Sequence, residues 1–198
     1  MSEERPPVWR RWLIALQPYS SPVSIAPVVL GTGLAVHYDV FAPLPAVFAL
    51  LGALSIQHGA DLTNVYYDYW KGVDTDESHD ASGEKSVIHK GLLRPEQVFR
   101  GSLALFGLAV LVGIYLVYLG GVPVLIIGLA SILAGYLYSG GPYPYGHYAL
   151  GDLFAFTFFG LVAVTGTFYV QAVAMAVITF PTTIPAGTFP LAVVLGSL

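Results

Sequence analysis

Six long apolar stretches, at roughly 12–36, 43–70, 95–119, 122–139, 149–172 and 183–198, dominate this chain. Runs of this length leave few ways to fold. In hydrocarbon the backbone can bond only to itself, so each stretch is expected to be a helix and the fold class all-α. Charged residues make up 10% of the chain, against about 25% in soluble domains. With a mean hydropathy of +0.70, this marks an integral membrane protein whose first partner is the lipid bilayer. The opening residues, Arg10-Arg11 and then apolar sequence, look superficially like a signal peptide. Pro18, Pro22 and Pro27 interrupt the run, and it is too long, so it reads as a retained first span, in which Pro22 and Pro27 predict a kink.

Three function classes fall away early. The chain has no cysteine, which removes disulfides, thiolate metal sites and cysteine nucleophiles. Eight basic residues in 198 form no stripe, so no nucleic acid is expected as a partner. His79, His89 and His147 lack metal-ligand spacing, and no Ser/His/Asp arrangement is apparent.

The basic residues set a topology. Arg5, Arg10 and Arg11 precede the first span, and Lys71, Lys85, Lys90, Arg94 and Arg100 lie between or just inside the second and third. All eight fall on one side, while the loops 37–42, 120–121 and 173–182 carry none. The positive-inside rule therefore places the N-terminal tail, 1–11, and the loop 71–94 in the cytoplasm. Gly120 and Gly121 should end the third helix; Pro95 suits its first turn and Glu96 its positive end.

One stretch breaks the apolar pattern. In Ala60–Asp76 and the residues just before it, Gln57, Asp61, Asn64 and Asp68 fall at i, i+4, i+7 and i+11. On a helix they lie within about 60° of one another, a stripe roughly 16 Å long. Facing lipid would be costly, so the stripe is expected to face a cavity or a neighbouring helix. Beyond Asp68 it reaches Gly72, Asp74 and Asp76, where the helix should end and water begin. Carboxylates and an amide at a membrane mouth are hard oxygen ligands, suited to Mg²⁺ carrying phosphates.

Other polar residues admit two readings. Asp61 is either a buried hydrogen-bond partner, with His58, or part of the site, and Asp152 suits a helix N-terminus without any catalytic duty. The loop 71–94 holds five of the twelve acids and reads as a solvated connector or as a continuation of the stripe. In 139–148, SGGPYPYGHY, the glycines and prolines fix a turn. Tyr138, Tyr143, Tyr145 and Tyr148 suit an interfacial aromatic belt and a substrate lining equally. Only 13 residues follow Pro185, fewer than the roughly 20 that cross a bilayer, and the expectation is a truncated chain.

Asn64-Val-Tyr-Tyr-Asp68 followed by Lys71-Gly-Val-Asp74 resembles the UbiA superfamily of intramembrane prenyltransferases. The resemblance is closest to its menaquinone branch, the 1,4-dihydroxy-2-naphthoate prenyltransferases. It extends over essentially the whole chain, with LQPYSSPVSIAPVVLG similar to the first-helix signature and LYSGGPYPYGHYALGDLFAFTFFG similar to the signature of the fourth loop and fifth helix. Two departures stand out: Val65 where other members carry an acid, and Gln17 where an arginine is expected.

The resemblance implies a bundle of nine transmembrane helices, about six of them present in a single domain, 1–198. It implies two aspartate-rich motifs binding Mg²⁺ and a prenyl diphosphate, the second expected beyond Leu198. By that likeness Asn64 and Asp68 are catalytic, and Asn64, Asp68 and Asp74 hold the metal. Lys71, Lys85 and Arg94 are expected to bind diphosphate, with Tyr66, Tyr67 and Tyr138 lining the substrate site. The implied reaction transfers a polyprenyl group to an aromatic acceptor in menaquinone biosynthesis, in a prokaryotic plasma membrane. The rival readings are a non-catalytic membrane fragment or half of a split protein, and an ion-conducting or transport subunit. The last would be favoured by inverted repeats, and none is evident.

Overall fold

The computed structural model describes residues 5–72, 86–141, 144–147 and 151–175. Among them every regular element is helical. Helix α1 runs Val8–Leu16, and a 3₁₀ turn at Pro18–Ser20 leads into α2, Ser21–His37. Helix α3 spans Pro43–Lys71 and α4 spans Pro95–Ser139. After a 3₁₀ turn at Tyr145–His147, α5 (Gly151–Ala155) continues through a π-helical stretch, Phe156–Val162, into α6, Ala163–Ala174. Four helical stretches are long and apolar enough to cross a membrane: Val8–His37, Pro43–Lys71, Pro95–Ser139 and Gly151–Ala174. The protein is a multi-pass integral membrane protein.

Local chemistry explains most helix ends. Pro43 and Pro95 open α3 and α4, where a missing N–H costs nothing. The Gln97 side chain accepts from the Arg94 backbone N–H at 2.9 Å, capping α4. Gly72 closes α3 in the left-handed conformation, φ 67°, with its N–H returned to Asp68 O and Tyr69 O. The first span begins earlier than expected, at Val8. It breaks at Gln17 (φ 48°, ψ 63°), five residues before Pro22. Pro18 disfavours an ordinary helical conformation at Gln17, whereas Pro22 sits harmlessly in the first turn of α2 and Pro27 stays within it.

The third and fourth expected helices are the two arms of α4, which reverses direction at Gly121. That residue adopts φ 67° and ψ −152°, a region open essentially to glycine alone. The Phe106 and Tyr136 rings, equally far from the reversal, meet at 6.4 Å. Tyr169 donates its hydroxyl to the Gly120 carbonyl at 3.1 Å, satisfying a group that the break removes from the helix ladder.

Two apolar clusters hold the bundle. One joins Leu34 and Ala35 of α2, Val124 of α4 and Val164, Phe168 and Val170 of α6. The other joins Ala15, Leu62, Val65 and Val98 to Val87, Ile88 and Leu93. The described end of the 71–94 loop is thus core rather than solvated connector: Val87 is 2% exposed. Gln171, fully buried, ties the bundle at the opposite end, accepting from Ala42 N and donating to Thr32 and Thr167 O. The stretch expected at 183–198 lies outside the described residues.

Candidate active site

A cavity of about 660 Å³ lies between α2, α3, both arms of α4 and the α5–α6 helix. Its polar side chains include Gln57, Asp61 and Asn64 from α3, with Ser24, Tyr138, Tyr145 and Asp152 contributed by other elements. The other walls are apolar. Val110, Ile114, Leu125 and Leu129 line them while staying well exposed, so the apolar side opens laterally. The stripe read from the sequence therefore faces inward. Asp68 lies one further turn along α3 and is not among the lining residues.

One wall is built by the break at Gln17, which carries Ser20 and Ser21 against α3. Ser20 Oγ donates to Asp61 Oδ2 at 2.7 Å, and Gln57 Nε2 donates to Asp61 Oδ1 at 3.1 Å. His58 Nδ1 lies 3.3 Å from Asp61 Oδ2, and His58 Nε2 lies 3.2 Å from Ser21 Oγ. A neutral His58 with its proton on Nδ1 satisfies both contacts, donating to the carboxylate and accepting from Ser21. Asp61, with a side chain only 15% exposed, thus has a partner on each oxygen, as a carboxylate at membrane depth requires. This matches the reading of Asp61 as a buried partner of His58.

The facing wall comes from Tyr138-Ser139-Gly140-Gly141. Ser139 Oγ donates to Asn64 Oδ1 at 2.6 Å, and its carbonyl accepts from Lys71 Nζ at 2.8 Å. The Lys71 ammonium also sits 5.3 Å from the centroid of the Tyr67 ring. The Tyr67 hydroxyl meets that of Tyr136 at 2.8 Å. Gly140 permits this approach, since a Cβ there would come within 2.6 Å of Tyr136 O and 3.1 Å of the Tyr67 ring. Tyr145 donates to Ala134 O at 2.7 Å, stacks on Phe154 and meets Tyr138 edge-on. Burial, and then the neighbouring Tyr138, push the Tyr145 phenol up to about 12, so it remains a donor at neutral pH.

Of the expected site residues, Asn64 and Tyr138 line the cavity. Tyr67 and Lys71 stand behind Asn64, against the Ser139 turn. Tyr66 packs on Phe99 with ring centroids 4.8 Å apart, and Arg94 is exposed at the start of α4. Neither lines the cavity. Asp74 and Lys85 lie outside the described residues. Sequence reading passed over Ser20, Ser24, Tyr136 and Ser139. The signal for three of them was their place inside the SSPVS and YSGG blocks, where a serine beside tight-turn residues invites a hydrogen-bonding role.

Among the described residues no group of three or more His, Asp or Glu side chains gathers as a metal site. The donors that are present still fit Mg²⁺. Asn64 and Asp68 offer an amide and a carboxylate oxygen one turn apart, and Mg²⁺ commonly takes one or two carboxylates, several waters and substrate phosphates.

A multi-pass helical bundle enclosing an amphiphilic cavity, with the amide of Asn64 at its polar end and the Asp68 carboxylate one turn beyond, defines a membrane protein suited to a small amphiphilic ligand. More particularly, the chain belongs to the UbiA prenyltransferase family, whose model matches residues 24–196. It is 35% identical over 155 residues to the 1,4-dihydroxy-2-naphthoate octaprenyltransferase of Bacillus subtilis, covering 78% of this chain and 49% of that protein. It is 34% identical to the protein of the same name from Mycobacterium tuberculosis, over 82% of this chain and 54% of the relative. The chain therefore spans about half the length of the curated relatives it matches. A solved UbiA homologue from Archaeoglobus fulgidus, bound to DMAPP and Mg²⁺, shares the fold with a TM-score of 0.62 at 15% identity. That match covers 92% of this chain and 59% of the homologue.

Proposed function

We propose that this protein takes part in transferring a polyprenyl group from an allylic prenyl diphosphate to a ring carbon of 1,4-dihydroxy-2-naphthoate, in menaquinone synthesis. The observation that carries the reading is the position of Asn64. It stands at the polar end of an otherwise apolar cavity, one turn from Asp68 and two turns from Lys71. That arrangement suits a ligand with a charged head and a long hydrocarbon tail. The names of the relatives supply the acceptor.

In the reaction the bond between the allylic carbon and the diphosphate oxygen breaks, its electron pair leaving with diphosphate. A carbon–carbon bond to the ring forms, and the ring carbon gives up its own substituent, a proton or, where it bears the carboxylate, carbon dioxide. Bound Mg²⁺ supplies neutralisation of the charge that develops on the departing diphosphate. Asn64 and Asp68, with Asp74, would hold that ion. Lys71, Lys85 and Arg94 would add charge-assisted hydrogen bonds to the phosphate oxygens. The apolar walls, with Phe158 and Phe159 among them, would seat the prenyl chain and keep water from the electron-poor allylic carbon. Tyr138, which lines the cavity, would present its ring to positive charge. The clustering of all eight basic residues supports an orientation with the N-terminus and the site's mouth in the cytoplasm of a prokaryotic cell.

The test is a transfer assay on purified protein in lipid nanodiscs, with radiolabelled prenyl diphosphate and dihydroxynaphthoate, with Mg²⁺ and with EDTA. It is paired with calorimetric binding of an unreactive prenyl thiolodiphosphate. Mg²⁺-dependent binding, lost in Asp68→Ala, is the expected result. Failure to bind the analogue with Mg²⁺ present would sink the reading.

A further inference from the structure

We infer that Ser139 is a positioning residue for diphosphate binding, acting through Asn64 and Lys71; this rests on the function proposed above. Asn64 and Lys71 are seven positions apart on α3, hence on one face and two turns from each other. Both close onto the same residue. The hydroxyl of Ser139 donates to Asn64 Oδ1 at 2.6 Å, and its carbonyl accepts from Lys71 Nζ at 2.8 Å.

Ser139 is itself immobilised. It is 2% exposed and ends α4, and Gly140 and Gly141 turn the chain away directly afterwards, Gly141 with φ 78°. A side chain held this way fixes the carboxamide of Asn64. An amide oxygen has two lone pairs, so accepting from Ser139 leaves one for a cation. A serine hydroxyl also accepts, so it would hold Asn64 equally well with the amide turned over. Lys71 similarly spends one of its three N–H groups on the Ser139 carbonyl and keeps two for an anion.

Without the hydroxyl, Asn64 loses its partner across the wall and samples other rotamers before each binding event. The loss should therefore fall on diphosphate affinity and leave the aromatic acceptor largely untouched. A merely structural serine would instead lower stability and affect both substrates alike.

The experiment measures Mg²⁺-dependent binding of a prenyl thiolodiphosphate by calorimetry, acceptor KM and detergent melting temperature. The variants are Ser139→Ala and the isosteric pair Ser139→Thr and Ser139→Val. Ser139→Ala should bind the analogue about tenfold more weakly, the scale of one lost hydrogen bond, with acceptor KM unchanged. The threonine variant should bind about tenfold tighter than the valine variant at equal melting temperature, because the two differ only in the hydroxyl. If wild type binds the analogue while alanine binds as tightly, or threonine and valine bind alike, the positioning role is wrong and the function stands. If wild type binds no analogue, the function fails and takes this inference with it.

Discussion

Ser20 and Asp61, 41 positions apart, are joined by a hydrogen bond of 2.7 Å that fastens the broken first span to α3 at the cavity wall. Asp61 also accepts from Gln57 and meets His58. Replacing Asp61 by Ala leaves these partners facing a mostly buried void. The expected cost is about 2–4 kcal/mol, and Asp61→Asn, which keeps the shape and part of the bonding, should cost less. Thermal melting in detergent checks the order wild type, Asn, Ala. An alanine variant melting with wild type would show the network to be idle.

Asp68→Ala and Asn64→Ala should act on ligand binding rather than on folding. On the proposed function the Asp68 carboxylate would hold the metal, and its loss would remove several kcal/mol of charge neutralisation, so transfer should fall on the order of a hundredfold or more for Asp68→Ala. Asn64→Ala should fall severely as well. Both melting temperatures should stay near wild type. Near-normal turnover in Asp68→Ala would remove this pair from the metal site.

Two glycines two positions apart on α2, Gly31 and Gly33, hence on nearly opposite faces, should respond oppositely to alanine. A Cβ at Gly31 would lie 2.5 Å from Val164 O and 2.8 Å from Thr167 Cβ, so α2 and α6 would be forced apart at a cost of about 1–3 kcal/mol. At Gly33 nothing lies within 4 Å, and alanine should be neutral or stabilise by up to about 1 kcal/mol through helix propensity. Melting of both variants in the same detergent decides the matter, and equal shifts would contradict the packing.

Gly121→Ala should disturb the reversal of α4. Its φ of 67° with ψ −152° strains any residue bearing a Cβ, by about 1–3 kcal/mol. Crosslinking cysteines placed at Phe106 and Tyr136 reports whether the arms still meet. Undiminished crosslinking and an unchanged melting temperature in Gly121→Ala would argue against a strained turn.

Tyr145 should titrate late. Its phenol is raised from 10.0 to about 12, so between those values the folded state keeps a proton that the unfolded chain releases. Its contribution to stability is full below about pH 10 and is lost as pH rises through about 12. In an alkaline absorbance titration, the difference between wild type and Tyr145→Phe should show one phenolate appearing near pH 12. A midpoint near 10 would mean that burial and the neighbouring Tyr138 do not hold the phenol in its neutral form.

The helices of this protein were legible because their causes are local. Lipid forbids unpaired backbone, Pro43 and Pro95 open helices, Gly72 closes one, and a period of 3.6 gathers Gln57, Asp61 and Asn64 on one face. The break in the first span falls earlier than Pro22 and Pro27 predict, because Pro18 acts on its neighbour Gln17. The connector before α4 was harder still. Val87 and Ile88 look unremarkable in a polar stretch, and only their packing against Ala15, Leu62 and Val98 makes them core.

Sequence alone therefore determined an all-helical membrane chain with an inward polar stripe ending at Gly72, since periodicity and capping act within a few residues. The tertiary structure alone decided what that stripe meets. Ser139 reaches Asn64 across 75 positions because α4 doubles back at Gly121 and returns its last turn to α3. Lys71, expected from the resemblance to bind diphosphate, is also held by a backbone carbonyl of that same turn. Such partners depend on where distant helices are brought together, and no local rule of propensity or spacing encodes that choice.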